Sequence, residues 1–206
     1  MLKTIFFLFI SFTVTLAAPI HDAATNNKIT LLKDELTKGV SVDLENERGQ
    51  TALALAVYNE HLEMVSFLLS KDANTNIEME NGQTALYIAA YFGKNRMIMS
   101  LIERGAVVDR KDNKGLTPLH KAAEGGSASA VRLLLDHGAK IDALDDHNAT
   151  PLYYASQLNN EDAVWALVQS GASNKYVSDE EMTASEVADE EDYGRIVKII
   201  EKYAKQ

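Results

Sequence analysis

Apolar residues return along this chain in quartets. Met64, Val65, Leu68 and Leu69 are followed by Met97, Ile98, Leu101 and Ile102, then Ala130, Val131, Leu134 and Leu135, then Ala163, Val164, Leu167 and Val168. Within a quartet the spacing i, i+1, i+4, i+5 gathers four side chains on one helical face. Each quartet lies 33 residues beyond the last. A second motif keeps the same period. Thr51-Ala52-Leu53-Ala54, Thr84-Ala85-Leu86-Tyr87, Thr117-Pro118-Leu119-His120 and Thr150-Pro151-Leu152-Tyr153 precede the quartets, and Thr183 continues the series. A threonine hydroxyl caps a helix, proline suits the first helical position, and alanine forms helix well there. Ala56, Ala89, Ala90, Ala122, Ala123 and Ala155 keep one face of that first helix small, so a neighbour can come close. Every period therefore predicts two helices, a capped one with a small face and one carrying the apolar stripe. Gly39, Gly105, Gly138 and Gly171 follow the second helix at a common offset, where a left-handed residue ends a helix; Asp72 stands there in one unit.

One step back from Thr51, Ala18-Pro19-Ile20-His21 carries the same motif with Ala for Thr. Six units result, starting near residues 18, 46, 79, 112, 145 and 178 of a domain spanning 18–206. The fourth, Thr117-Pro118-Leu119-His120-Lys121-Ala122-Ala123, resembles the repeat of the ankyrin family. The pattern weakens at Asn148 and at Ala184-Ser185-Glu186. The resemblance implies an all-α ankyrin-repeat solenoid, a right-handed stack of six helix-turn-helix units joined by short β-hairpins. Terminal units of a solenoid have a face with no neighbour and turn polar there. In the second helices, where the stripe is otherwise Leu, Ile or Val, the first unit carries Glu35 and the last Glu201, which are expected to meet water.

The first residues do not share this grammar. Met1-Leu2-Lys3 is a short basic start, Thr4 to Leu16 is uncharged and rich in Ile, Phe, Leu and Val, and Ala17-Ala18-Pro19 follows. That pattern reads as a signal peptide, residues 1–17, cleaved to leave Ala18 first. An uncleaved anchor is the alternative, although the run falls short of the ~20 residues that cross a bilayer. The expected destination is secretion, or the periplasm of a bacterium. Composition narrows the partners. A net charge of -10 repels nucleic acid. The absence of cysteine removes disulfides, thiolate nucleophiles and cysteine-based metal sites. Membrane contact is expected only if the leader stays uncleaved, and the protein is expected to be a monomer.

Few residues carry candidate chemistry. Five histidines occur, but His21 and His120 hold the fourth motif position, while His61, His137 and His147 fall at turns; no two have ligand spacing, so no metal site is expected. The resemblance implies local hydrogen bonding for His21 and His120. Asp145 and Asp146 are adjacent turn residues with no nucleophile or base beside them, and no cofactor is expected. Asn148-Ala149-Thr150 is a glycosylation sequon. Asn148 also stands where other units have Gly49, Gly82 and Gly115, a position that wants positive φ and accepts Asn, and Thr150 is needed as a cap. The acidic stretches Asp179-Glu180-Glu181 and Asp189-Glu190-Glu191-Asp192 suit the hydrated surface of a final unit. Trp165, on a second helix, is expected to pack on the convex side.

In the family, partners are held on a concave surface of hairpin tips and exposed first-helix residues. By register this implies Glu47, Arg48 and Gln50 with Tyr58 and Asn59; Glu80 and Gln83 with Tyr91 and Phe92; Asn113, Lys114 and Leu116 with Glu124; and His147 with Gln157 and Leu158. Tyr58, Tyr91 and Phe92 stand on adjacent units, where they form either an aromatic binding patch or packing against neighbouring hairpins. A non-enzymatic module, exported to hold a protein partner, is the leading expectation. The alternative is a secreted, toxin-like effector that inhibits a host or competitor protein. An enzyme is disfavoured because the sequence has no nucleophile with a base, metal cluster or phosphate loop.

Overall fold

The computed structural model describes residues 19–204, and among these it has twelve α-helices and no strand. The expected signal peptide and Ala18 lie outside the described residues. The helices are paired: α1 (Pro19–Thr25) with α2 (Ile29–Thr37), α3 (Ala52–Tyr58) with α4 (Leu62–Ser70), α5 (Ala85–Tyr91) with α6 (Asn95–Glu103), α7 (Pro118–Glu124) with α8 (Ala128–Asp136), α9 (Pro151–Gln157) with α10 (Glu161–Gln169), and α11 (Ala184–Glu190) with α12 (Gly194–Tyr203). First helices stack on first helices from α1 to α11, and second helices stack on second helices from α4 to α12. Two layers result, with one continuous core between them.

The predicted stripe is that core. Leu68, Leu101, Leu134 and Leu167 are wholly buried, as are Ala56, Ala89, Ala122 and Ala155 on the small face opposite. Each buried leucine contributes about 1.5–3 kcal/mol, and the alanines let the helices approach. The caps form as expected. Thr51 accepts from the Ala54 amide at 3.2 Å, Thr150 from Tyr153 at 3.2 Å, and Thr183 from Glu186 at 3.4 Å, where the glutamate closes a capping box.

Glu35 and Glu201 do not behave alike. Glu201 is exposed. Glu35 aligns with Leu68 and Leu101 and is only 6% exposed, so the expectation of a hydrated residue is corrected there. Its carboxylate accepts from Lys38 Nζ at 2.7 Å, which neutralises the charge that burial would otherwise penalise.

The connections are hairpins of turn rather than strand. Asn46 donates to Gln50 O, Met79 to Gln83 O, Asp112 to Leu116 O, Asp145 to Ala149 O and Ser178 to Met182 O, each through its amide at 2.9–3.1 Å. Asparagine or aspartate at the first position also accepts from the loop: Asp112 Oδ1 takes the Lys114 and Leu116 amides, and Asp145 Oδ1 those of His147 and Ala149. Successive hairpins are then tied together. Glu80 donates to Arg48 O, Asn113 to Asn81 O, Asp146 to Lys114 O and Asp179 to His147 O. A further row runs deeper: Asp43 accepts from the Asn74 amide, Asn76 from Val107, Asp109 from Lys140 and Asp142 from Ser173, at 2.9–3.1 Å.

Left-handed residues are periodic too. Every positive-φ residue among those described belongs to one of three series 33 apart: between the paired helices (Asn27, Glu60, Gly93, Gly126, Asn159, Asp192), after the second helix (Gly39, Asp72, Gly105, Gly138, Gly171), and in the hairpin (Gly49, Gly82, Gly115, Asn148, Glu181). The series differ in what a side chain would meet. At Gly105 a Cβ finds open space, whereas at Gly82 it would lie 2.5 Å from Asn113 Oδ1 and 2.7 Å from the Asn113 nitrogen. Gly105→Ala should therefore cost about 1 kcal/mol for the left-handed backbone alone, and Gly82→Ala about 2–4 kcal/mol because two hairpins must also separate. Urea unfolding of the two variants measures the difference, and equal losses would refute the close approach of the hairpins.

Candidate functional site

The hairpins and first helices build one face of the stack, and the structure brings most of the residues expected at a partner surface onto it. Glu47, Arg48 and Glu80 project from hairpin tips, and all three are exposed. Tyr58 ends α3, Tyr91 ends α5 and Phe92 follows it as the C-cap; they are 60%, 40% and 36% exposed. The three rings meet edge to face. Tyr58 and Phe92 lie 5.8 Å apart at 80°, and Tyr91 and Phe92 5.2 Å apart at 71°, the geometry aromatic pairs prefer. The rings pack on one another across units and keep their outer surfaces free. Asn59 is half-buried and spends its side-chain amide on Leu55 O at 2.8 Å.

Beneath the rings is a groove of about 690 Å3, walled by Arg48, Gln50 and Gln83 on the hairpin side and floored by Leu55 and Ile88. A second groove, about 660 Å3, continues along α7 and α9 past Lys114, Asp146, His147, Tyr154 and Leu158. Lys121 and Glu124 line both. Leu158, the C-cap of α9, is exposed, and His147 lies 3.5 Å from Asp179. Leu116 departs from expectation. It is 7% exposed, because the hairpin bonds through Asp112 fold its side chain down, so it belongs to the groove floor and does not project.

Sequence reasoning missed Lys121. It pairs with Glu124, and its Nζ lies 4.9 Å from the Tyr91 ring centre and 5.6 Å from that of Tyr87. A cation over electron-rich faces is favourable, the more so where half-buried. The signal was present, since the same register position holds Leu55, Ile88, Tyr154 and Val187 in other units, with Asp22 in the first. One lysine in a mostly apolar row needs a partner.

The fourth motif position does more than the local bonding expected of it. It reaches into the next unit. Tyr87 donates to Asp112 at 2.6 Å and Tyr153 to Glu180 at 2.6 Å, while His21 Nε2 meets Leu44 O at 2.8 Å, still within the first unit. Burial and the bond to Glu180 push the Tyr153 phenol up to about 12, and burial with the Asp112 bond raises Tyr87 as well. His120 Nδ1 accepts from the Thr117 amide at 3.1 Å, which leaves Nε2–H to donate to Ala149 O at 3.2 Å. A neutral imidazole fits this pair of bonds and an imidazolium does not. The other histidines are committed to backbone oxygens or turns: His61 to Thr25 O and His137 to Leu133 O. Among the described residues, no group of three or more His, Cys, Asp or Glu is placed to hold a metal.

Asn148 is exposed with φ of 58°, and its Nδ2 donates to Asp179 Oδ1 at 2.8 Å. A glycan there would replace one of the two Nδ2 hydrogens and leave one to donate.

Two layers of short helices, stacked on a fixed period and tied hairpin to hairpin, define a helical-repeat solenoid. The family model described as ankyrin repeats (3 copies) matches residues 20–112 and 91–179, and the chain belongs to that family. No curated protein matches it. Ankyrin repeats are generally protein–protein interaction modules and typically non-enzymatic scaffolds.

Burial lowers the His120 pKa from its usual 6.5 to about 4, so an unfolded chain binds a proton that the folded one refuses between those values. Stability from this group is fully present above about pH 6.5 and is lost as pH falls toward 4, up to roughly 3 kcal/mol. The urea midpoint should fall between pH 7 and 4.5 by more in the parent than in His120→Gln, which starts less stable at pH 7. Parallel curves would assign the acid sensitivity to other groups.

Proposed function

We propose that this chain is an exported, non-catalytic module that holds a protein partner against its hairpin and first-helix face. The observation that carries the reading is the Tyr58–Phe92–Tyr91 cluster, three exposed rings from two adjacent units over one groove. Contacts that dominate an interface are large, rigid and centrally placed, and tyrosine is prominent among them. Ring-on-ring packing holds these side chains in place before a partner arrives, so little rotamer freedom is left to lose. Lys121 and Glu124 continue the surface toward Leu158 with one donor group and one acceptor group. Arg48, Glu47, Glu80 and His147 form a polar rim, which favours orientation and rate of encounter more than affinity. Export is supported by the leader, whose basic start, uncharged run and Ala17 suit removal by a signal peptidase.

Two outcomes follow. In crosslinking capture from the fluid the protein is released into, Tyr91→Ala with Phe92→Ala should lower partner recovery by about tenfold or more while leaving helicity unchanged. Undiminished recovery would remove the cluster from the site. Mass spectrometry of the released protein should find its first peptide beginning at Ala18, and a retained Met1 peptide would overturn cleavage.

A further inference from the structure

The layer of second helices carries a groove that the partner face does not use. It crosses α4, α6 and α8, encloses about 640 Å3, and has Leu62, Met99 and Leu133 along it with Arg96 and Arg132 at its sides. Ser66 and Ser100 also line it, but their hydroxyls donate back to Leu62 O and Arg96 O at 2.9 Å, so neither offers a donor outward.

Three observations set this groove apart. Among the described residues, neither Arg96 nor Arg132 takes part in an ion pair or a side-chain hydrogen bond, although the chain has 30 acidic residues to 20 basic ones; Asp136, one turn beyond Arg132 and on the same lining, is outside ion-pair distance. The stack does not require the arginines. Their register positions hold Thr30, Glu63, Ser129, Asp162 and Arg195 in the one case, and Lys33, Ser66, Met99, Trp165 and Lys198 in the other, so most units do without a cation there. Finally, Asn95 Oδ1, on the same lining, is buried without a partner. An acceptor left in that state keeps its desolvation penalty until a donor reaches it.

We propose that this groove is a second docking site, and that it takes an acidic peptide segment of a partner protein. Carboxylates of the segment meet Arg96 and Arg132, whose planar guanidinium groups bind them through paired N–H donors. A main-chain N–H of the segment satisfies Asn95 as its side chain, whose Oδ1 is shielded in the free protein, turns outward, and an apolar side chain lies along Met99 and Leu133. A peptide supplies all three groups at once. A long polyanion supplies charge alone, and the net charge of -10 repels it over a range that a short segment does not sample. Because this face is formed by second helices and the aromatic face by first helices, one molecule can hold two partners and bring them together.

The test uses a fluorescein-labelled synthetic peptide of alternating Glu and Leu, with a Gln and Leu peptide as its neutral control, followed by anisotropy at low salt. The Glu peptide should bind and the Gln peptide should not. Arg96→Glu with Arg132→Glu should weaken binding by about tenfold or more. The charge-matched pair Lys198→Glu with Lys202→Glu, on α12, should leave it unchanged, as should Tyr91→Ala with Phe92→Ala. Absence of binding, or equal loss in the α12 pair, overturns the site. Loss on changing Tyr91 and Phe92 would move the peptide to the aromatic face and overturn it as well, without touching the reading of that face. Stronger binding to phosphatidylserine vesicles or to a single-stranded oligonucleotide, through the same arginines, would overturn the occupant.

Discussion

A helix of seven residues and one of nine both fall below the length at which either keeps its shape alone in water. The first five units have one of each and the sixth pairs seven residues with ten, and neither helix can bury its stripe on its partner alone. Stacking is therefore the condition for the helices to exist, and the other features serve it. Alanine on the first helices shortens the distance between layers, leucine on the second fills it, and threonine stops the amides at each helix start from being orphaned.

Close stacking sets conditions of its own. Chain reversal three times per unit demands left-handed residues, and the protein meets the demand with glycine at open positions such as Gly39 and Gly105 as well as where the neighbour leaves no room, as at Gly82. Glu60, Asp72 and Asp192 hold positive φ beside solvent, at about 1 kcal/mol each. In the hairpins of units two to four the next loop is too near for a side chain, and glycine is used throughout. Asn148 shows the transition: it has a side chain and turns it into a bond with Asp179.

The fold was legible because its period was. Two motifs at one spacing located both helices of every unit and the caps between Thr51 and Thr183, and the left-handed series after the second helix could be read from four glycines. The other left-handed series, between paired helices, was hidden because it mixes Asn, Glu, Gly and Asp, which share only a backbone angle. Glu35 and Leu116 were misjudged for a common reason. Residue type alone assigns glutamate to water and a loop leucine to the surface, whereas Lys38 and the Asp112 turn decide where they go. Of the candidate site, the aromatic cluster was visible as three rings on neighbouring units. Lys121 was overlooked despite its mostly apolar register row, since a lysine on a first helix reads as solvated surface until the tyrosines beside it are placed.

The row formed by Asp43, Asn76, Asp109 and Asp142 reaches always from one unit to the next, and Lys175 stands at the following place in the sequence. A carboxylate or amide there accepts an amide from the unit after it; a lysine cannot. The stack consequently has a grammar of growth. A copy of the second, third or fourth unit inserted among them would bring its own acceptor and find one waiting, so the array can lengthen from within, while at the junction of the fifth unit with the sixth Lys175 presents a cation where the four earlier junctions offer an acceptor.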